Sequence, residues 1–364
     1  MKQIYQPIVA ALLLLTVSAC TNAKIEQPVA INAGLVENFD QIVNKAVAQG
    51  FGGRVVIASG DQVIYDRSAG YSDANEQFPV TEATLFHVAS ITKYLTAIII
   101  LKAAEEGRIG LDQSISSLLP DSSLAKGKIT IRQLLNHHSG LGSSYAAEAA
   151  FTAEAAISAI GQQPVDAEKI GTFRYSNDGY DLLAIILEQV YAKPYELILK
   201  EKITGPAGIA KMIGWSEVDK SNPVKVGQPL SELKASLAKR NYGMLGSAGL
   251  LTTARDLIDL QKAVGREKIL NQESLAALHK PRDRISIGRT TFGGFLVQSD
   301  NMGPVFNVRG YEDWGDNAIM NHYLEYDLYV AIVTSKGPAE GSGEPFRTSI
   351  SNEIELLLPK LKFN

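Results

Sequence analysis

A serine followed three residues later by a lysine, Ser90-Ile91-Thr92-Lys93, opens the apolar run "YLTAIIILKAA". If that run is a helix, Ser90 lies in its first turn and Lys93 one turn on, along the same face. The pairing suits nucleophilic chemistry. Free N–H groups and the positive dipole end of a helix favour a developing alkoxide or oxyanion. A buried amine loses part of its preference for the charged form and can serve as a base near neutral pH. The same residues also read as a serine cap followed by an amphipathic lysine. Ser-x-x-Lys recurs at Ser123, Ser231 and Ser236, so the spacing alone is weak. Context separates the four. Ser123 and Lys126 lie in the turn-rich "LPDSSLAKGK", and Ser231 and Ser236 lie in "PLSELKASLAKR", whose alternating charges mark a solvated helix face. Only Ser90 precedes a segment apolar nearly all round, as a buried helix requires.

Tyr175 and Asn177, in "FRYSNDGYDLLAIILEQV", form a second pair just ahead of a helix expected from near Asp178. In extended backbone, residues two apart point the same way, so a phenol and an amide can enter one cleft together. The alternative is that Asn177 or Asp178 caps the helix and Tyr175 packs. His138-Ser139-Gly140 invites a nucleophile reading, but no Gly-x-Ser-x-Gly elbow surrounds it, and the segment reads as a helix end turned by Gly140. His87 and His279 have no partner legible in the sequence, and His322 falls in an alternating strand, facing solvent or a neighbour. There is no His-Glu-x-x-His, and Cys20 is the one cysteine, so neither a zinc site nor an internal disulfide is available. We expect no metal and no cofactor.

The elements that must position these residues follow from periodicity. "LVENFDQIVNKAVAQ" has the pattern of an amphipathic helix, and "GRVVIASGDQVIYDRSAGY" that of a hairpin around Gly60-Asp61. A mainly helical region follows, from about 86 to 264. "TFGGFLVQSDNMGPVFNVRG" and "NAIMNHYLEYDLYVAIVTS" read as antiparallel strand pairs, and "FRTSISNEIELLLPKL" as a closing helix. Helix and strands at both ends imply an α+β fold. One antiparallel sheet is built from N- and C-terminal segments, flanked by terminal helices, with the helical region inserted and the cleft at the seam.

The chain has 364 residues, 45% hydrophobic and 20% charged, with a net charge of -4. No basic run points to nucleic acid. The start is different in character: "MKQIYQPIVAALLLLTVSAC" has an early lysine, about ten apolar residues and then small ones, the form of a signal peptide over residues 1–19. Val17-Ser18-Ala19-Cys20 resembles a bacterial lipobox, which makes Cys20 a lipidated first residue and residues 20–34 a tether to the domain at 35–364. Ordinary cleavage after Ala19, leaving a free thiol, is the alternative. The lipobox reading implies export and lipid anchorage at the periplasmic face of a bacterial membrane.

In order, the chain shows "GGRVVIASGDQVIY", "TLFHVASITKYLTA", "EEGRIGLDQSISSLLP", "ITIRQLLNHHSGL", "FRYSNDGYDLLAIILEQV" and "GSAGLLTTARDL". From about Gly52 to Ser335 this succession resembles the serine β-lactamase-related family of class C β-lactamases, D-alanyl-D-alanine carboxypeptidases and related esterases. The resemblance implies that Ser90 is the acylated nucleophile, with its backbone N–H as half of an oxyanion hole. It also implies that Lys93 and Tyr175 transfer protons and that Asn177 orients the acyl group. The family's third box, Lys-Thr-Gly or His-x-Gly, has no match. Alignment on "GYEDWGDNAIM" places Arg309-Gly310-Tyr311 there, and a shift of one residue gives Val308-Arg309-Gly310. Arg309 keeps a cation for a substrate carboxylate but lacks the proton chemistry of lysine or histidine. The expected activity is serine hydrolysis through an acyl-enzyme on a small-molecule or peptide-like ester or amide, esterase- or carboxypeptidase-like, with weak or absent β-lactam turnover. The alternative is a catalytically impaired, lipid-anchored binding protein on the same scaffold.

Overall fold

The computed structural model describes residues 29–30, 32–119, 129–218, 240–337 and 343–362. Cys20 with its signal and tether, and the serines at 123, 231 and 236, lie outside the described residues.

Helix α1 (Ala33–Ala48) starts at Asn32, whose side chain accepts from the Gly34 N–H, and buries the stripe Leu35, Phe39, Ile42, Val43 and Ala46. Strands β1 (Gly53–Ser59) and β2 (Gln62–Ala69) form the hairpin, and Gly60 at its turn takes φ +50°, which glycine accepts without steric cost. Next come β3 (Phe86–His87) and α2 (Thr92–Glu105), then the short α3 (Ile131–Leu135), α4 (Ala153–Gly161) and α5 (Asn177–Tyr191). Helices α6 (Tyr195–Leu199) and α7 (Gly205–Ala207) precede β4 (Ile213–Gly214), β5 (Leu250–Thr252), α8 (Ala254–Gly265) and α9 (Gln272–His279). The chain then runs through β6 (Arg284–Ile285), β7 (Gly288–Thr290), β8 (Phe295–Ser299), β9 (Gly303–Tyr311), β10 (Asn317–Tyr323) and β11 (Leu328–Thr334) to α10 (Phe346–Glu355).

The main sheet has the order β2-β1-β11-β10-β9-β8-β7-β6, antiparallel throughout. Its N- and C-terminal parts join where β1 pairs β11, from Gly53↔Thr334 to Ser59↔Leu328. Both faces of this seam are covered, so the middle of each strand, Val55 to Ala58 and Leu328 to Val333, is apolar rather than alternating. Val55, Ile57, Val330 and Ile332 pack toward α1 and α10, while Val56, Ala58, Ala331 and Val333 pack toward the helical region. This is the α+β sandwich expected, with the insertion on one face.

Inside the insertion α2 is the central helix. Residues 92–101 are all buried, including Lys93, which explains why the sequence there is apolar on every side. Each fully buried isoleucine of the Ile98-Ile99-Ile100 run contributes roughly 1.5–3 kcal/mol relative to exposure. The insertion is not helical alone: a small sheet of order β3-β5-β4 pairs Phe86↔Thr252 and His87↔Leu251 immediately ahead of Ser90. That pairing fixes the strand that delivers the nucleophile. These strands are two or three residues long, too short to show an alternating pattern.

Candidate active site

Ser90 sits in a 3₁₀ turn, Ala89–Ile91, that leads directly into α2. Ala89 takes φ +46°, a left-handed conformation that costs a non-glycine residue of order 1–3 kcal/mol and is held here by the packing on both sides. Strand β9 presses on this turn. A Cβ at Gly310 would come within 2.1 Å of the Val88 carbonyl oxygen and 2.9 Å of the Ser90 nitrogen, so only glycine fits. Gly310 belongs to both alignments of the third box, and the space it occupies against the nucleophile turn admits glycine alone. Val308 is 1% exposed in the core, so β9 offers neither lysine nor histidine at the first box position.

Lys93 follows one turn later and is 2% exposed. Its Nζ donates to Ser90 Oγ (3.1 Å), to Asn177 Oδ1 (2.7 Å) and to the Ser247 carbonyl (2.9 Å). An ammonium has three N–H donors, so all are used. The last two partners can only accept. They pin two of the protons, and the third position faces Ser90. From the other side the Tyr175 hydroxyl donates to Ser90 Oγ at 2.8 Å.

Tyr175 and Asn177 do point into one cleft, and the cap that releases them is Ser176, whose hydroxyl accepts from the Gly179 N–H at 3.0 Å. Neither Asn177 nor Asp178 caps α5. Asn177 bridges Lys93 and, through Nδ2, the Ser143 carbonyl at 2.9 Å, while Asp178 accepts from the Ser144 hydroxyl and the Ala146 N–H. His137 supports Tyr175: the rings stack at 4.5 Å, and His137 Nδ1 accepts from the Ser176 N–H at 3.0 Å. Burial, followed by the charge on Lys93, holds His137 well below the usual imidazole range, so it stays neutral and an acceptor. The left-handed residue directly after α3 is His137 itself, at φ +59°, with Gly140 a second at φ +75°. Ser139 is fully buried, its Oγ accepting from the Leu141 N–H, and it does not line the cleft. His138 pairs instead with Asp283 at 2.8 Å.

The cleft has a volume of about 460 Å³ and lies between the β8–β9 edge and the insertion. Arg309 lines it, with its guanidinium 5.3 Å over the Phe295 ring, and burial lowers its pKa. Beside it stands Arg347 of α10, which sequence reasoning missed. Its Nη1 donates to the Gly310 carbonyl at 3.0 Å, while its Nε is buried with no partner among the described residues. Burial, then the Arg309 charge, pushes Arg347 down to about 10, still cationic at neutral pH. The only sequence signal was a lone arginine in the first turn of a terminal helix, which does not reveal where that helix docks. Elsewhere in the wall the Tyr145 hydroxyl donates to Glu312 at 2.7 Å.

His87 is fully buried, with Nδ1 3.1 Å from Asp316 and Nε2 against the Ala248 carbonyl. Burial alone would push its pKa down, but the Asp316 carboxylate holds it up, and with both ring nitrogens facing acceptors His87 is a strut beneath the nucleophile turn. His279 meets the Tyr94 hydroxyl at 3.5 Å, and His322 stacks on Tyr329 at 4.3 Å with Asp327 at 3.5 Å. Among the described residues no group of three or more His, Cys, Asp or Glu side chains is placed to hold a metal ion.

A serine joined to a lysine and a tyrosine, at the seam of an α+β sandwich, is the arrangement of a serine hydrolase that works through an acyl-enzyme. The chain belongs to the beta-lactamase family, whose model, described as Beta-lactamase, matches residues 39–350. It is 27% identical over 314 residues to penicillin-binding protein 4* of Bacillus subtilis (strain 168), covering 79% of this chain and 68% of that protein. Among solved structures it resembles the octameric penicillin-binding protein homologue from Pyrococcus abyssi. There the TM-score is 0.70 at 25% identity, over 88% of this chain and 77% of that one. It also shares the fold of D-amino acid amidase from Ochrobactrum anthropi SV3, with TM-score 0.74 at 22% identity over 90% and 98% of the two chains.

Proposed function

We propose that this protein hydrolyses small esters or amides bearing a carboxylate, with weak or absent β-lactam turnover, and that Ser90 is its nucleophile. The observation that carries the reading is the pair of guanidiniums, Arg309 and Arg347, beside a serine already joined to Lys93 and Tyr175. With Lys93 as the neutral amine, its two N–H groups held by Asn177 and the Ser247 carbonyl and its lone pair facing Ser90, Ser90 Oγ attacks the substrate carbonyl as its proton passes to Lys93 Nζ, and the carbonyl oxygen becomes an oxyanion facing the Ser90 N–H. The proton then reaches the leaving oxygen or nitrogen through the Tyr175 hydroxyl, the C–O or C–N bond breaks, and the acyl group stays on Ser90. Water adds to the acyl-enzyme, and the carboxylic acid leaves as Ser90 regains its proton. Asn177 orients the acyl group.

Two partly buried cations side by side repel each other, and a carboxylate placed between them relieves that repulsion while accepting planar, paired N–H bonds. Neither guanidinium can replace a neutral histidine or a lysine in proton transfer, and Val308 offers nothing in their place. Proton movement rests on Lys93 and Tyr175, which is the reason to expect poor turnover of a β-lactam. Tyr311, at the exposed edge of β9, narrows the strip along which a bicyclic substrate would lie.

The test is Arg309→Ala assayed on matched esters with and without a carboxylate. KM is expected to rise about tenfold for the carboxylate ester and to stay within twofold for the neutral one, with kcat little changed, the mark of binding without a part in the chemical step. Equal losses on both esters would remove the carboxylate role. Rapid cephalosporin hydrolysis by the wild type would overturn the substrate reading.

We propose further that the chain is exported and held at a bacterial membrane by lipid on Cys20. A metabolically supplied alkynyl fatty acid should label the wild type and not Cys20→Ala. Release of unlabelled wild-type protein cleaved after Ala19 would sink this.

A further inference from the structure

We infer that Asp181 is a positioning residue for Lys93, acting through the segment from Met244 to Ala248. The inference rests on the proposed roles of Ser90 and Lys93. Asp181 lies one turn after Asn177 on the same face of α5 and is fully buried. Its oxygens accept three backbone N–H groups, those of Met244, Gly246 and Ser247, each at 3.0 Å.

With its N–H groups gathered on one carboxylate, the segment turns three consecutive carbonyls the other way. Gly246 O accepts from the Thr96 hydroxyl at 2.7 Å, Ser247 O from Lys93 Nζ at 2.9 Å, and Ala248 O from His87 Nε2. The backbone is held in a conformation it would not choose alone. Met244 takes φ +97°, and a Cβ at Gly246 would fall 2.3 Å from the Tyr180 carbonyl oxygen. Asp181 thus keeps in place the Ser247 carbonyl, one of the two acceptor-only partners that leave Lys93 a single direction, toward Ser90. α5 therefore holds Lys93 twice, directly through Asn177 and at one remove through Asp181.

Asp181 also contributes charge. Burial pushes its carboxyl up to about 7, against the opposing pull of the Met244 N–H, Ser247, the charge on Lys93 and the Gly246 N–H. The groups around Lys93 are Tyr175 and Tyr180, with rings 4.8 and 5.9 Å from Nζ, the neutral His137, Glu312 and Asp181. Around Asp181 are Lys93, Tyr145 and Tyr195. Of the groups facing Lys93, Asp181 and Glu312 are the carboxyls, so Asp181→Asn removes one of the two negative charges that can face its Nζ.

The experiment follows the pH dependence of Ser90 acylation by a fluorophosphonate in the wild type, Asp181→Asn and Thr96→Val. Asp181→Asn is expected to label at least tenfold more slowly at its best pH, with the acid limb of the profile displaced to lower pH by about a unit. Thr96→Val releases the Gly246 carbonyl and keeps the charge. It is expected to label several-fold more slowly with its acid limb in place. Slow labelling of Asp181→Asn with an unmoved limb and a native circular-dichroism spectrum would overturn the inference, as would labelling within twofold of wild type. Should Asp181→Asn fail to fold, unchanged labelling by Thr96→Val overturns it and slowed labelling upholds the hold of the segment on Lys93. A wild type that forms no adduct at Ser90 refutes the proposed function instead, so the two failures are distinct.

Discussion

Ser90→Ala is expected to lose fluorophosphonate labelling entirely and to lower ester turnover by on the order of 10⁴–10⁶, the range seen when the nucleophile of a concerted catalytic unit is removed. The size of the effect follows from the geometry. The two proposed proton-handling groups converge on one oxygen, at 3.1 Å from Lys93 and 2.8 Å from Tyr175, and among the described residues no second hydroxyl shares that contact. Cleft residues would still bind substrate, so KM should change far less than kcat. In the wild type, peptide mass spectrometry after fluorophosphonate treatment should place the adduct on the peptide carrying Ser90. An adduct on Ser139 would refute the mechanism, although that side chain is buried and engaged with the Leu141 N–H.

Lys93→Ala and Tyr175→Phe are each expected to cost ~10²–10⁴ in turnover, the usual contribution of a general acid or base. If the two act as one unit around Ser90 Oγ, the double variant should be little worse than the worse single one. Fully additive losses would show that they act independently. Lys93→Arg should not restore activity. Its guanidinium keeps its proton at working pH, and its planar fork cannot reproduce the three directions in which the ammonium reaches Ser90, Asn177 and Ser247. Tyr175→Phe keeps the ring that stacks on His137, so a folded but slow enzyme is the expected product.

The chain belongs to the beta-lactamase family, and its segment at the third box departs from Lys-Thr-Gly and His-x-Gly. The strip here has a valine in the core, an arginine at the cleft and a tyrosine at the rim, with a second arginine supplied by the last helix.

What the sequence determined by itself is what depends on near neighbours in the chain. The offset of three from Ser90 to Lys93 is set by helical geometry, and the run after it, apolar nearly all round, is what a buried helix requires. The hairpin at Gly60, the stripe of α1 and the two terminal layers were likewise legible, because a turn or a period expresses each within about fifteen residues. The small β3-β5-β4 sheet was not, nor was the cap of α5, which is Ser176, because Ser176, Asn177 and Asp178 all have capping side chains. Only the tertiary structure decided which residues meet across long stretches of chain. Tyr175 reaches Ser90 from 85 positions away, the Ser247 carbonyl reaches Lys93 from 154, and Arg347 reaches Gly310 from 37. No local preference encodes those meetings. They follow from how α2, α5, α10 and the β9 edge share two cores, and from steric facts, such as the space for hydrogen alone at Gly310, that appear only once distant backbones touch.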